Sequence, residues 1–102
     1  PTLVLEKNPD ILKELGKKKS KNQILIGFAA ETQNHKENAI KKLKEKNLDM
    51  IIVNDVSRKD IGFESDENEI IVYSDGEEYR LEKNNKRIIA AGIVDYIYNK
   101  FF

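Results

Sequence analysis

The sequence predicts an α/β fold, a parallel sheet with flanking helices and an added antiparallel β-hairpin, and three observations carry that expectation. "ILIGF" (Ile24–Phe28) and "MIIVN" (Met50–Asn54) are unbroken apolar runs of strand length, the pattern of strands buried on both faces. Stretches with helix start and stop signals precede both runs. Asp75-Gly76 lies between two strand-like segments and is a two-residue hairpin signal.

Taken in order, Thr2 to Leu5 is short, apolar and partly β-branched, and reads as a first strand. In "NPDILKELG", Asn8 is a good N-cap, Pro9 suits the first helical position, Asp10 favours the positive helix end and Gly16 closes the helix. "KKKSKNQ" is a charged connection to the strand Ile24–Phe28. From Asn34 to Lys46, Ala39, Ile40 and Leu43 make an apolar stripe among lysines, and Asn47 suits a left-handed C-cap. Met50 to Asn54 is the third strand. These segments give β-α-β-α-β, which right-handed crossovers fold into a Rossmann-like parallel sheet. "DVSRKDIGFESDEN" has little period and reads as a loop. The hairpin follows, and Asn84-Asn85 can cap a last helix with Ile89, Ile93, Val94, Ile97 and Phe101 on roughly one side.

A chain of 102 residues suits a single domain, 1–102. Eighteen basic and eighteen acidic residues cancel, which argues against a general nucleic-acid or membrane-surface binder, since those need a one-sided field. The lysine-rich helix alone favours nucleic acid, and it has no interleaved aromatics. With no cysteine, disulfides and thiolate chemistry are out, and a lone histidine, His35, makes a histidine metal site or triad a poor expectation. His35 reads as a surface residue near a helix start. No run is long enough to cross a bilayer and no signal-peptide pattern opens the chain, so a soluble, cytoplasmic protein is expected. The chain opens at Pro1 without an initiator Met and is expected to be a piece of something larger.

Ligands of open parallel sheets bind beyond the carboxyl ends of the strands. Three segments should therefore converge there: the turn Glu6-Lys7-Asn8, the stretch Phe28 to Thr32, and Asn54-Asp55. The helix start from Pro9 to Leu12 is expected to offer free backbone N–H groups and a positive dipole end, although by itself Asn8-Pro9-Asp10 is simply a good helix start. Phe28 is either core or a wall presented to a planar ligand, with Ala29 and Ala30 allowing close approach. Lys42 and Lys46, one turn apart, read by themselves as a solvated face beside Lys36, Lys41 and Lys44, yet two ammonium groups so set can also grip a polyphosphate. Glu31, Asp49 and Asp55 are possible Mg²⁺ neighbours without a recognisable metal spacing. Neither common glycine-rich phosphate cradle is present.

"NPDIL", "GFAAET", "KLKEKNLDMIIVNDV" and "GFESDEN" together resemble, in order and spacing, the phosphopantothenoylcysteine synthetases, in bacteria usually the C-terminal half of a bifunctional coenzyme A biosynthesis flavoprotein. The resemblance covers nearly the whole chain. It implies the C-terminal part of a larger synthetase domain, in a ligase joining 4′-phosphopantothenate to L-cysteine with CTP and Mg²⁺ through an acyl-cytidylate. Pro9, Asp10, Ile11, Leu12, Phe28, Lys42 and Lys46 match the family's nucleotide-binding positions, and no catalytic residue is implied. A homodimer is implied for the full-length enzyme, with the Asp75-Gly76 hairpin a candidate interface. The family's glycine-rich phosphate loop, intermediate-handling Asn and Lys-x-Lys-Lys segment have no counterpart here, so the isolated chain is expected to be inactive or incomplete. The alternative is a non-catalytic nucleotide-binding or interaction module that keeps only the fold.

Overall fold

A computed structural model describes residues 1–56 and 67–102. Most of the expected loop, and with it most of "GFESDEN", lies outside the described residues. The elements are β1 (Thr2–Glu6), α1 (Pro9–Lys18), β2 (Gln23–Glu31), α2 (His35–Glu45), β3 (Met50–Asp55), β4 (Glu67–Ser74), β5 (Glu77–Asn85) and α3 (Lys86–Phe101). All five strands form one sheet in the order β1-β2-β3-β4-β5. The pairs β1–β2 and β2–β3 are parallel, and β3–β4 and β4–β5 are antiparallel. The α/β expectation with an appended hairpin therefore holds. Gly76 turns the hairpin at φ 71, a conformation that glycine adopts without a Cβ penalty.

Two apolar clusters lie on opposite faces of the sheet. Leu12 and Leu15 of α1 and Ala39 and Leu43 of α2 pack with Leu25, Ile51, Val53 and Tyr73. Ile89, Ile93 and Ile97 of α3 pack with Ile24, Ile26, Met50, Ile52 and Val72. Strand residues alternate between the two, so Ile24–Phe28 of β2 and Met50–Val53 of β3 form unbroken apolar runs because both faces are covered there. Two right-handed crossovers moving the same way across a sheet put both helices on one face, as α1 and α2 are. Among the described residues no helix is long and apolar enough to cross a membrane.

Asp49 ties the entry to β3. Its Oδ2 accepts from the Leu25 N–H at 2.8 Å and from Lys19 Nζ at 3.2 Å, while its own N–H donates to the Leu25 carbonyl. The carboxylate completes the edge of the β2–β3 ladder.

Several expectations need correction. Gly16 does not end α1, which runs on to Lys18. It sits where α1 meets the end of α2, and a Cβ there would lie 1.9 Å from the Lys46 carbonyl oxygen. β2 does not stop at Phe28, because β3 pairs with it as far as Glu31↔Asp55, whereas β1 ends opposite Gly27. Val94 is 64% exposed and lies off the buried stripe of α3. His35 is half-buried, with Nε2 3.2 Å from Asp55 Oδ1, because α2 begins over the carboxyl end of β3. Asn47 does adopt the left-handed conformation, at φ 53.

Candidate functional site

The different lengths of the strands create the site. Because β1 stops at the level of Gly27, Phe28, Ala29 and Ala30 of β2 run past it with one flank unpaired by β1. The chain turns there into α1, and a cleft of about 590 Å³ opens between Lys7, Pro9, Phe28, Ala29, Ala30, Lys42, Ile52, Asn54, Ile70 and Ile93. That volume is within the usual range for a small-molecule site. The turn after β1, the end of β2 and Asn54 converge as the strand-end rule requires. The small side chains of Ala29 and Ala30 keep the cleft open beside the Phe28 ring.

Of the residues singled out from the sequence, Pro9, Phe28 and Lys42 line this cleft. Asp10 and Ile11 stand on the exposed first turn of α1, and Leu12 turns inward, 3% exposed in the core. Lys46 is the C-cap of α2, one turn beyond Lys42, and is not among the lining residues. Ile70 of β4 and Ile93 of α3 were not expected there. They arrive through the antiparallel half of the sheet and the last helix, and the only sequence sign was the apolar spacing of Ile89 and Ile93.

The start of α1 does not offer free N–H groups. Asn8 Oδ1 accepts from Asp10 N at 2.9 Å and Ile11 N at 3.2 Å, and Leu12 N donates to the Asn8 carbonyl. Glu6 Oε1 accepts from the N–H groups of Lys7 and Asn8, each at 3.0 Å. An anion would meet the dipole end of the helix through this cap. α2 also starts at this end of the sheet, and its N-cap, Asn34, makes no side-chain capping bond.

Charge in the cleft is positive at Lys7 and partly balanced at Lys42, whose Nζ lies 2.7 Å from Glu31 Oε1. Asn38 Nδ2 reaches the other Glu31 oxygen at 3.4 Å. The pair is partly desolvated, with side-chain exposures of 32% and 16%, so Lys42 is held in place and pointed at the end of β2. Each of the three carboxylates considered for Mg²⁺ has a partner within the chain: Glu31 engages Lys42, Asp49 engages Leu25 and Lys19, and Asp55 faces His35. Among the described residues no group of three or more His, Cys, Asp or Glu could hold a metal ion.

A second cleft, of about 830 Å³, lies at the opposite end of the parallel strands, beside Asn47, Asp49, Tyr73 and Glu77. Lys19 pairs with Asp49 there, and Lys100 with Glu77. A hydrogen bond from Lys100 lowers the Glu77 pKa, and the same bond raises that of Lys100. Burial raises the Tyr73 phenol, which keeps it neutral. This end of a parallel sheet is not where ligands collect.

Residues 1–101 match the model of the DNA/pantothenate metabolism flavoprotein C-terminal domain family. The chain is similar to the coenzyme A biosynthesis bifunctional protein CoaBC of Bacillus subtilis, 47% identical over 97 residues, covering 94% of this chain and 24% of that protein. It is similarly related to the protein of the same description from Haemophilus influenzae, 39% identical over 100 residues, covering 98% of this chain and 25% of the relative. The chain thus spans about a quarter of the length of these relatives. A crystal structure of the C-terminal domain of a coenzyme A biosynthesis bifunctional protein CoaBC superposes with a TM-score of 0.79 at 36% identity, over 95% of this chain and 55% of that one.

Proposed function

This chain belongs to the DNA/pantothenate metabolism flavoprotein C-terminal domain family, and from that membership we propose that it serves coenzyme A biosynthesis as part of a ligase that couples 4′-phosphopantothenate to L-cysteine. In this reading CTP is the co-substrate and the cleft over Phe28 takes part of the nucleotide. A carboxylate oxygen of phosphopantothenate attacks the α-phosphorus and pyrophosphate leaves. The cysteine amine then attacks the acyl carbon, CMP leaves with the bonding electron pair, and the amine gives up its proton. A carboxylate resists amines until its oxygen belongs to such a leaving group.

The observation that carries this reading is the cleft itself, in which Pro9, Phe28 and Lys42, family nucleotide positions by resemblance, line one surface at the carboxyl edge of the sheet. Phe28 supplies a flat apolar wall, Lys42 a positioned cation, and Pro9 to Leu12 the rim at the helix dipole. Lys46 stands one turn off as an outer cation. Ion pairing of Lys42 with Glu31 keeps the ammonium in place between turnovers, and a phosphate competes for it or shares it. Mg²⁺ supplies charge neutralisation on the phosphates when bound, and no residue of this chain is given that task. The proposal extends to a cytoplasmic homodimer acting on small molecules.

The test uses a chimera of the Bacillus subtilis relative in which this chain replaces the matched 97 residues. It should release pyrophosphate only when CTP and phosphopantothenate are both present, and release CMP and form the cysteine amide when cysteine is added. The chain alone should release none above background. A chimera that binds CTP but makes no product, or a chain that releases CMP by itself, would overturn the reading.

A further inference from the structure

The apolar run of β3 stops at Asn54, at the level of the cleft. Asn54 pairs with Ala30 of β2 on one side and Ile70 of β4 on the other, which fixes its backbone. Met50 and Ile52 pack with α3, so strand alternation sends the Asn54 side chain to that same face. Phe28, Ile70 and Ile93 belong to that face too, and with Ile52 they line the cleft beside Asn54. Among the described residues of the cleft the other polar side chains are Lys7 and Lys42. Asn54 is the uncharged one.

Several other asparagines are engaged in the fold. Asn8 and Asn85 cap α1 and α3, Asn38 donates to Glu31 and to the Gln33 carbonyl, and Asn47 donates to the Gly16 carbonyl. The Asn54 side chain makes no hydrogen bond among the described residues, although it is half-buried among apolar groups. A carboxamide carries one acceptor oxygen and two N–H donors, and leaving them unmet in an apolar site is costly. A lone neutral polar group in a mostly apolar pocket orients a ligand.

We propose that Asn54 is a specificity-determining residue that reads the base of the nucleotide, a pyrimidine with an amino group next to a ring nitrogen. Charge divides the cleft. Phosphates belong with Lys7 and Lys42, which leaves the flat, uncharged base to the apolar floor of Phe28, Ile52 and Ile70. There Asn54 Oδ1 accepts from the 4-amino group, and Nδ2 donates to the N3 lone pair. A carboxamide makes such a pair of bonds to a base edge that sets a donor beside an acceptor. A site with a fixed hydrogen-bond partner rejects a ligand lacking the counterpart far more strongly than an apolar wall does. This role rests on the nucleotide reading of the cleft, and adds which side chain meets the base.

The test compares CTP with the triphosphate of the 2-pyrimidinone ribonucleoside, which lacks only the 4-amino group, in the chimera. The parent chimera should favour CTP in kcat/KM by about tenfold or more. Asn54→Leu, close in size, should raise the KM for CTP at least about tenfold and bring that preference within about threefold. Its KM for phosphopantothenate should stay within about twofold of the parent. Ile70→Val, on the same floor without a polar group, should keep the preference. Each variant is compared with itself, so loss of folded protein lowers both rates alike and leaves the ratio. For a variant without turnover, calorimetric dissociation constants give the same ratio. A parent without preference, a preference unchanged in Asn54→Leu, or a loss confined to phosphopantothenate would overturn the assignment. A parent chimera that binds neither nucleotide would sink the nucleotide reading, and this role with it.

Discussion

Gly16→Ala is expected to destabilise the chain by about 2–3 kcal/mol, although it places the best helix former inside a helix. Propensity alone would raise stability by roughly 1 kcal/mol. The added methyl, however, would sit 1.9 Å from the Lys46 carbonyl oxygen and 2.8 Å from its carbon, and both atoms are backbone. Relief requires α1 and α2 to separate, which also strains the 3.0 Å bond from Asn47 Nδ2 to the Gly16 carbonyl. Overpacking wins. At roughly 4–8 °C per kcal/mol for a domain of this size, thermal unfolding should show a fall of about 10 °C or more. Gly92→Ala is the contrast: its Cβ would approach Leu81 Cδ2 at 2.8 Å, the far end of a side chain that can turn aside. Equal melting of Gly16→Ala and the parent would show that the helices are not in the close contact described.

Lys42→Ala in the chimera should raise the KM for CTP by about 10–100-fold, the loss of one charge-assisted hydrogen bond of roughly 1.5–3 kcal/mol. Lys46→Ala should change it by no more than about threefold, because an outer, solvated charge is worth less than about 1 kcal/mol. The difference comes from placement. Lys42 is anchored by Glu31 and lines the cleft, while Lys46 caps α2 one turn away. Steady-state kinetics against CTP at saturating phosphopantothenate check both. An unchanged KM for Lys42→Ala would return that lysine to a purely structural pairing with Glu31.

The parallel core was legible because β2 and β3 are buried on both faces and so carry uninterrupted apolar runs. The hairpin was legible because Asp-Gly admits the positive φ that Gly76 adopts. Gly16 was misread because a glycine that ends a helix and one that admits a neighbouring backbone look alike in sequence. The cap at Asn8 was recognised, and it already implied that the side chain occupies the N–H groups of the first turn. Phe28 was correctly set near the carboxyl edge, but not the reason for its exposure. That reason is the difference in length between β1 and β2, a matter of register that one sequence does not state. Ile70 and Ile93 reach the cleft through contacts across the sheet, of which the sequence showed only the apolar spacing of Ile89 and Ile93 on α3.

The central claim is that the nucleotide occupies the cleft at the carboxyl edge and not the one beside the hairpin turn. Hydrogen exchange of the chimera with and without CTP decides between them. Protection on CTP binding should appear at Phe28 to Ala30 and in the first turn of α1, and leave Ser74 to Glu78 unchanged. Protection centred on Ser74 to Glu78, with Phe28 to Ala30 unaffected, would contradict it.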